Sequence, residues 1–264
     1  MAIFVYLASC NKKTDAPQPT VQTIIRSDTV ADTIYQYRDR PEPMVAFGTV
    51  ADNQGNSYKT LTIGGLTWMA ENLRVQYYNN GDRIETRDTA NTNLSPPRYW
   101  FNPDFIHTNG GIQNNDTILS YGRLYTWYAA TDERGVCPSG WTIPTAFDYQ
   151  ALIDTLGGAT IAGTKMKDSG RYWVNASGTP LLPDNSGTNT SGFSARGAGR
   201  HEGLGGYETK YYALYWTSTN YSFYPAYDTS AAYVYELYGG GNSVTASGRS
   251  KLNAYSVRCI KRHF

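Results

Sequence analysis

Alternation of apolar and polar residues predicts short strands in the middle and at the end of this chain. Residues 57–63 alternate, Gly64 and Gly65 form a two-residue hairpin signal, and residues 66–70 are predicted as the returning strand. The C-terminal part predicts four more strands, over residues 193–195, 213–219, 231–237 and 255–261.

Helical spacing of apolar residues is confined to one region. Thr145 is followed three residues later by Asp148, which is the pattern of a capping box, and apolar residues then repeat at helical spacing up to Leu156. The pair Gly157–Gly158 ends this helix, and a second helix is predicted over residues 159–167. An aromatic run over residues 121–130 predicts a short helix at its end.

Two helices, short antiparallel strands and long loops predict an α+β fold. The longest irregular stretches are residues 74–118, interpreted as a loop-rich insertion rather than a core element, and residues 174–192, which are rich in Gly, Asn and Ser. Residues 11–43 are polar and contain Pro, which predicts a flexible tether before the globular part.

Composition excludes one class of function. The chain has 264 residues, a net charge of +1 and only 17% charged residues, whereas a nucleic-acid surface needs a basic excess. Its 23 tyrosines supply apolar area together with uncharged hydroxyl groups, which suits sheet faces and binding surfaces. We therefore expect no nucleic-acid partner.

The first ten residues end in Leu7-Ala8-Ser9-Cys10, after a short apolar run and before a polar stretch. That order is typical of the cleavage site of a bacterial lipoprotein signal, in which the cysteine is acylated and becomes the first residue. The alternative is an apolar N-terminus with a chance cysteine, since none of the nine preceding residues is basic. The pattern predicts a signal remnant over residues 1–9 and a lipid anchor with tether over residues 10–44.

The remaining cysteines, Cys137 and Cys259, form an even pair once Cys10 is assigned to lipid. In an oxidising compartment this favours one disulfide, which would close a loop of about 120 residues and stabilise the fold by roughly 4–5 kcal/mol. The alternative is two buried free thiols. We expect no metal site and no cofactor, because there is no CxxC or HxxxH spacing and the histidines lie far apart, at His107, His201 and His263.

Six segments, in order, resemble the Fibrobacter succinogenes major paralogous domain. They lie in residues 64–73, 122–127, 136–145, 192–195, 215–219 and 256–259. The resemblance covers residues 45–264 and implies a C-type-lectin-like fold on a lipoprotein of Bacteroidota. It also implies a disulfide between the first helix region and the last strand, where Cys137 and Cys259 lie. Four tryptophans fall inside these motifs and are expected to pack in the core: Trp68, Trp127, Trp141 and Trp216.

The function expected from these features is non-catalytic binding or adhesion at the outer membrane, facing the cell surface or the periplasm. Possible partners are a glycan or an outer-membrane complex, with an accessory role in a nutrient importer as one variant. The candidate ligand-binding residues are aromatic side chains in loops, which could instead cover their own core: Tyr211, Tyr212, Tyr221, Phe223, Tyr224 and Tyr227.

Analogy with the lectin-like superfamily suggests two other functions. A calcium-dependent lectin needs a Glu-Pro-Asn or Gln-Pro-Asp tripeptide, and Pro183-Asp184-Asn185 is only a faint match that turn chemistry explains better. An enzyme related to the formylglycine-generating group needs two reactive cysteines near the C-terminus, where this chain has only Cys259. The pair His201–Glu202 in a Gly-rich loop is weak evidence for acid–base chemistry. We expect no enzymatic activity.

Overall fold

The computed structural model describes residues 45–86, 99–101, 115–168, 172–174, 187–203, 208–222 and 230–263. These residues form two β-sheets and four helices, so the protein is α+β. The predicted lipidation site Cys10 and the tether lie outside the described residues. None of the described helices has the length and apolar character needed to cross a membrane.

The smaller sheet joins the start of the domain to its end. Its order is β1-β2-β3-β11, and every neighbouring pair is antiparallel. Gly64 and Gly65 adopt φ of 62° and 81° in the tight β2–β3 turn, which favours glycine, so the predicted hairpin is confirmed. The strands are β1 (Gly48–Ala51), β2 (Ser57–Ile63), β3 (Leu66–Met69) and β11 (Ile260–Lys261).

The larger sheet has seven strands in the order β4-β5-β6-β10-β7-β8-β9. Two neighbouring pairs, β4–β5 and β7–β10, are parallel, so the prediction of antiparallel strands is wrong for them. The strands are β4 (Glu85–Thr86), β5 (Tyr99–Phe101), β6 (Leu124–Thr126), β7 (Tyr212–Tyr221), β8 (Ala231–Tyr238), β9 (Val244–Ser250) and β10 (Ala254–Ser256).

The described residues contain four helices, where two helices and a short one at the end of the aromatic run were predicted. They are α1 (Asn115–Tyr121), α2 (Trp127–Ala130), α3 (Ala146–Thr155) and α4 (Ala159–Met166). The capping box of α3 is confirmed: the Asp148 amide donates to Thr145 Oγ1 at 3.2 Å, and the Thr145 amide donates to Asp148 Oδ2 at 2.7 Å. The short α2 follows the aromatic run as expected. Helix α1 lies in a stretch predicted as irregular.

Two strand predictions need correction. Residues 193–195 form no strand, because Ala195 makes a single bridge to Lys167. The stretch 255–261 is split into β10 and β11, since the chain crosses between the sheets there and the carbonyl of Cys259 accepts from Met69 of β3. Five observed strands were not predicted, namely β1, β4, β5, β6 and β9.

Two clusters of buried side chains occupy the two faces of the larger sheet. Leu214 and Trp216 of β7 point into one cluster, while Tyr215 points into the other, with residues of α3 and α4. Val75 and Ile84 are buried in the first cluster, so part of the predicted insertion is core. The burial of Val75 and Ile84 was not predicted, because polar residues surround them in the sequence.

The predicted disulfide between Cys137 and Cys259 is present, with an S–S distance of 2.07 Å. It joins the segment before α3 to the residue before β11, across a sequence separation of 122. Both cysteines are buried in the first core cluster, and the alternative of two free thiols is therefore wrong.

Candidate functional site

The aromatic residues predicted to bind a ligand do not form one group. Tyr211 and Tyr212 lie at the start of β7 and Tyr221 at its end, and all three are half-buried. Phe223, Tyr224 and Tyr227 lie outside the described residues. A β-strand rises about 3.3 Å per residue, so the two ends of β7 lie roughly 30 Å apart and cannot serve one small ligand.

The side chain of Tyr221 packs on neighbouring strands of its own sheet. Its ring meets the ring of Tyr233 edge-on at a centroid distance of 4.8 Å. It also lies over the backbone of Gly248 in β9, where an added Cβ atom would overlap the ring. Only a glycine on β9 leaves room for the ring, so this contact accounts for Tyr221 without a ligand.

Tyr212 belongs to a different arrangement. It lies directly opposite Tyr238 in the β7–β8 register, and the two ring centroids are 5.1 Å apart at an angle of 33°. The guanidinium of Arg200 lies 4.9 Å from the Tyr212 ring centroid. Both rings are half-buried, so part of each remains open to solvent on a rigid sheet.

A chain of alternating charges borders this tyrosine pair. Arg200 lies 2.5 Å from Glu208 and 3.6 Å from Glu202, and Arg249 continues the chain at 3.8 Å from Glu202 and 2.8 Å from Glu236. The five side chains are between 18% and 39% exposed. We call the surface formed by these five residues with Tyr212 and Tyr238 the Tyr212–Tyr238 face.

A contact beneath the face holds one of its carboxylates, that of Glu202. The hydroxyl of the buried Tyr255 donates to Glu202, and Tyr255 packs on Trp216 with centroids 4.6 Å apart. Burial and then the bond to Glu202 raise the pKa of Tyr255. Burial lowers the pKa of Arg200, but the bond to Glu208 and the charge of Glu202 outweigh it and the net shift is upward. The charged groups therefore hold each other in place at neutral pH.

The sequence pair His201–Glu202 was weak evidence for acid–base chemistry, and the two side chains lie in different environments. His201 is buried and its backbone bridges Ala254, whereas the Glu202 carboxylate joins the charge chain. Within the described ranges no three His, Cys, Asp or Glu side chains are grouped to hold a metal ion. The faint calcium motif Pro183-Asp184-Asn185 lies outside these ranges.

Sequence reasoning placed Tyr212 in a candidate surface and noted Glu202 only as weak acid–base evidence. It did not single out Tyr238 or the other four charged residues. The strands were predicted as 213–219 and 231–237, each one residue short at the end where the two tyrosines pair. Extending both strands by one residue would have aligned Tyr212 with Tyr238. Arg249 was missed because it lies on the unpredicted β9.

The sequence model of the Fibrobacter succinogenes major domain matches residues 61–261, which is most of the chain. The chain belongs to this family. Comparisons with curated proteins and with solved structures gave no match.

The family's tryptophans serve the core, as expected from the sequence. Trp68 and Trp216 are fully buried, and Trp127 and Trp141 are partly buried and pack against the first core cluster. The Trp216 Nε1 donates to the Tyr125 carbonyl at 2.8 Å, which ties β7 to β6 through another family motif.

Polar residues from three family motifs converge on Arg258, which is 1% exposed. Its Nε donates to Asn72 Oδ1 at 2.9 Å, its Nη2 to the Ser194 carbonyl at 2.8 Å, and its Nη1 to the Phe193 carbonyl. Asn72 in turn donates to the Tyr121 carbonyl at 2.8 Å. Arg258 thus joins motifs from the start, middle and end of the family domain.

Proposed function

We propose that this member of the family is a non-catalytic binding module at the outer membrane, held by a lipid on Cys10, which binds a hydroxyl-rich ligand such as a glycan. The observation that carries the proposal is the Tyr212–Tyr238 face. It combines a half-exposed aromatic pair with a fixed chain of carboxylates and guanidiniums.

Each part of the face suits a sugar ring. The apolar C–H face of a sugar stacks on an aromatic ring, and tyrosine offers that area at a small entropic cost. Carboxylate and guanidinium groups accept from and donate to neighbouring hydroxyls. Because Arg200, Glu202 and Arg249 already hold one another, little further ordering is needed when a ligand binds.

Membrane attachment is supported by the sequence pattern Leu7-Ala8-Ser9-Cys10 and by the family, which is common on lipoproteins of Bacteroidota. A C-type-lectin-like fold is supported by two features. The smaller sheet brings the first and last strands together, and the disulfide links the region before α3 to the end of the chain. An accessory role in a nutrient importer is a variant of this proposal.

Binding to an array of bacterial and host glycans, followed by calorimetry on any hit, tests the proposal. Tyr212→Ala and Tyr238→Ala should each weaken binding about fivefold or more, since stacking on one ring is worth on the order of 1 kcal/mol or more. Tyr233→Ala is the matched control, because Tyr233 lies on the opposite face of the same strand as Tyr238. Equal losses in all three variants, or none in any, would contradict the proposal.

Attachment and partners need separate measurements on native membranes. Mass spectrometry of the mature N-terminus should find an acylated Cys10, and Cys10→Ser should release the protein into the soluble fraction. Pull-down of the native protein that recovers an importer would favour the accessory variant. A soluble wild-type protein with an unmodified Cys10 would remove the lipid anchor from the proposal.

A further inference from the structure

A small pocket, lined mainly by polar residues, lies where three family motifs meet and shares no lining residue with the Tyr212–Tyr238 face. It has room for about one water molecule or an ion of that size. Two arginines are among its lining residues, which are Ala70, Glu71, Asn72, Ser120, Ser194, Arg196 and Arg258. Glu71, Ser120, Ser194 and Arg196 are half-buried, so the pocket has a solvent-accessible side.

The inner arginine, Arg258, has no carboxylate bonded to it among the described residues. Its hydrogen bonds go to the Asn72 amide and to main-chain carbonyls, which are neutral acceptors. The guanidinium packs on the Phe193 ring at 4.1 Å. A charge removed from water in this way is stabilised by a nearby opposite charge.

The outer arginine, Arg196, uses only some of the N–H donors of its guanidinium. Its Nε donates to Asp168 at 2.8 Å and its Nη1 to the Ser120 carbonyl at 3.0 Å, while its guanidinium stacks on Tyr172. A guanidinium carries five N–H groups, and these bonds use two of them. The others have no acceptor in the part of the chain that the structure describes.

We infer that this pocket binds a small, singly charged anion between Arg196 and Arg258. Two carboxylates limit the charge it can take. Asp168 already pairs with Arg196, and Glu71 lines the pocket while its Oε2 accepts from the Lys59 amide at 2.6 Å. One acceptor atom with a single negative charge fits both the space and the electrostatics, and either chloride or a ligand carboxylate can supply it.

Diffraction from crystals soaked in bromide, with thermal unfolding in solution, tests this inference. An anomalous bromide peak should lie between the two guanidiniums. Sodium chloride should raise Tm by about 3 °C at ten times the dissociation constant, compared with a bulky sulfonate salt at equal ionic strength. Sodium acetate tests a carboxylate in the same unfolding assay. If acetate raises Tm and chloride does not, a ligand carboxylate is the natural occupant.

Two variants with opposite expected effects keep the test decisive. Arg196→Gln should abolish the anion-dependent rise in Tm, whereas Glu71→Gln should increase it, because the amide keeps the bond to Lys59 but removes a negative charge. Arg134→Gln is the matched control, because Arg134 pairs with Asp82 and belongs neither to the pocket nor to the Tyr212–Tyr238 face, and it should show the wild-type response to anions. The inference is wrong if the pocket holds only water and all four proteins respond equally to chloride and acetate.

Discussion

Single residues in this fold are placed by close contacts that their sequence neighbours do not reveal. Lys167 is 1% exposed, and its Nζ donates to the carbonyls of Gly239 at 2.9 Å and Gly241 at 2.6 Å. Burial lowers its pKa to about 8. A lysine that would ordinarily lie at the surface here holds the β8–β9 turn against the end of α4.

Gly248 is a residue at which a single added methyl group should destabilise the fold. In Gly248→Ala the new Cβ would overlap the ring of Tyr221, so the ring must leave its place against Tyr233. We expect a loss of about 1–3 kcal/mol in the free energy of unfolding, measured by urea denaturation.

Gly241→Ala is the control for this prediction, because an added Cβ there makes only an ordinary contact at 3.7 Å with Tyr238. Its effect should stay within about 0.5 kcal/mol. If Gly248→Ala is as stable as Gly241→Ala, the ring of Tyr221 does not depend on the glycine. Tyr221 would then be free to serve a ligand after all.

Elements with strong local signals were predicted correctly from the sequence. The turn at Gly64–Gly65 needs positive φ, and α3 begins with a capping box. A few neighbouring residues therefore specify each of these features. Strand β9 carries no such signal, because its sequence VTASGRS is mostly small and polar and only its pairing with β8 defines it. The chain of alternating charges also lacks a local sequence signal, because only tertiary structure brings Arg249 to Glu202, which also pairs with Arg200.

The capping box of α3 gives a prediction at the scale of one element. Thr145→Ala removes the acceptor for the Asp148 amide and should lower the free energy of unfolding by about 1 kcal/mol, while Thr145→Ser should retain most of it. Asp148 also binds Arg262 at 2.6 Å, so the cap links α3 to the end of the chain. Urea denaturation of both variants measures the difference, and equal stability of Ala and Ser would show that the cap is not limiting.

At the scale of the whole molecule, the disulfide and the aromatic core act on different states. The link from Cys137 to Cys259 restricts the unfolded chain across a separation of 122 residues. The core instead stabilises the folded state by burying large side chains, among them the hydroxyl-bearing rings of Tyr58, Tyr125, Tyr149, Tyr215 and Tyr255. Those rings must stay neutral while the protein is folded, which couples its stability to pH.

This coupling predicts unfolding at alkaline pH. Burial raises the pKa of Tyr125 and Tyr149 well above 10.0, so in the folded state they keep their protons at pH values where the unfolded chain loses them. The contribution of these two tyrosines to the free energy of unfolding is complete below a pH of about 10 and is lost as the pH rises further. Lys167 acts in the opposite direction, because its folded pKa of about 8 lies below its ordinary value of 10.5, so stability should rise with pH between these values.

Urea denaturation at a series of pH values, with tyrosinate absorbance as a second signal, checks this behaviour. The free energy of unfolding should fall steeply above pH of about 10, and tyrosinate should appear together with loss of structure. In Tyr149→Phe the fall should be shallower by up to about 1.4 kcal/mol per pH unit, since one buried hydroxyl is removed and the ring stays stacked on Tyr235 at 4.9 Å. Tyrosinate that forms while the protein remains folded would show that these rings are open to solvent, contrary to their burial.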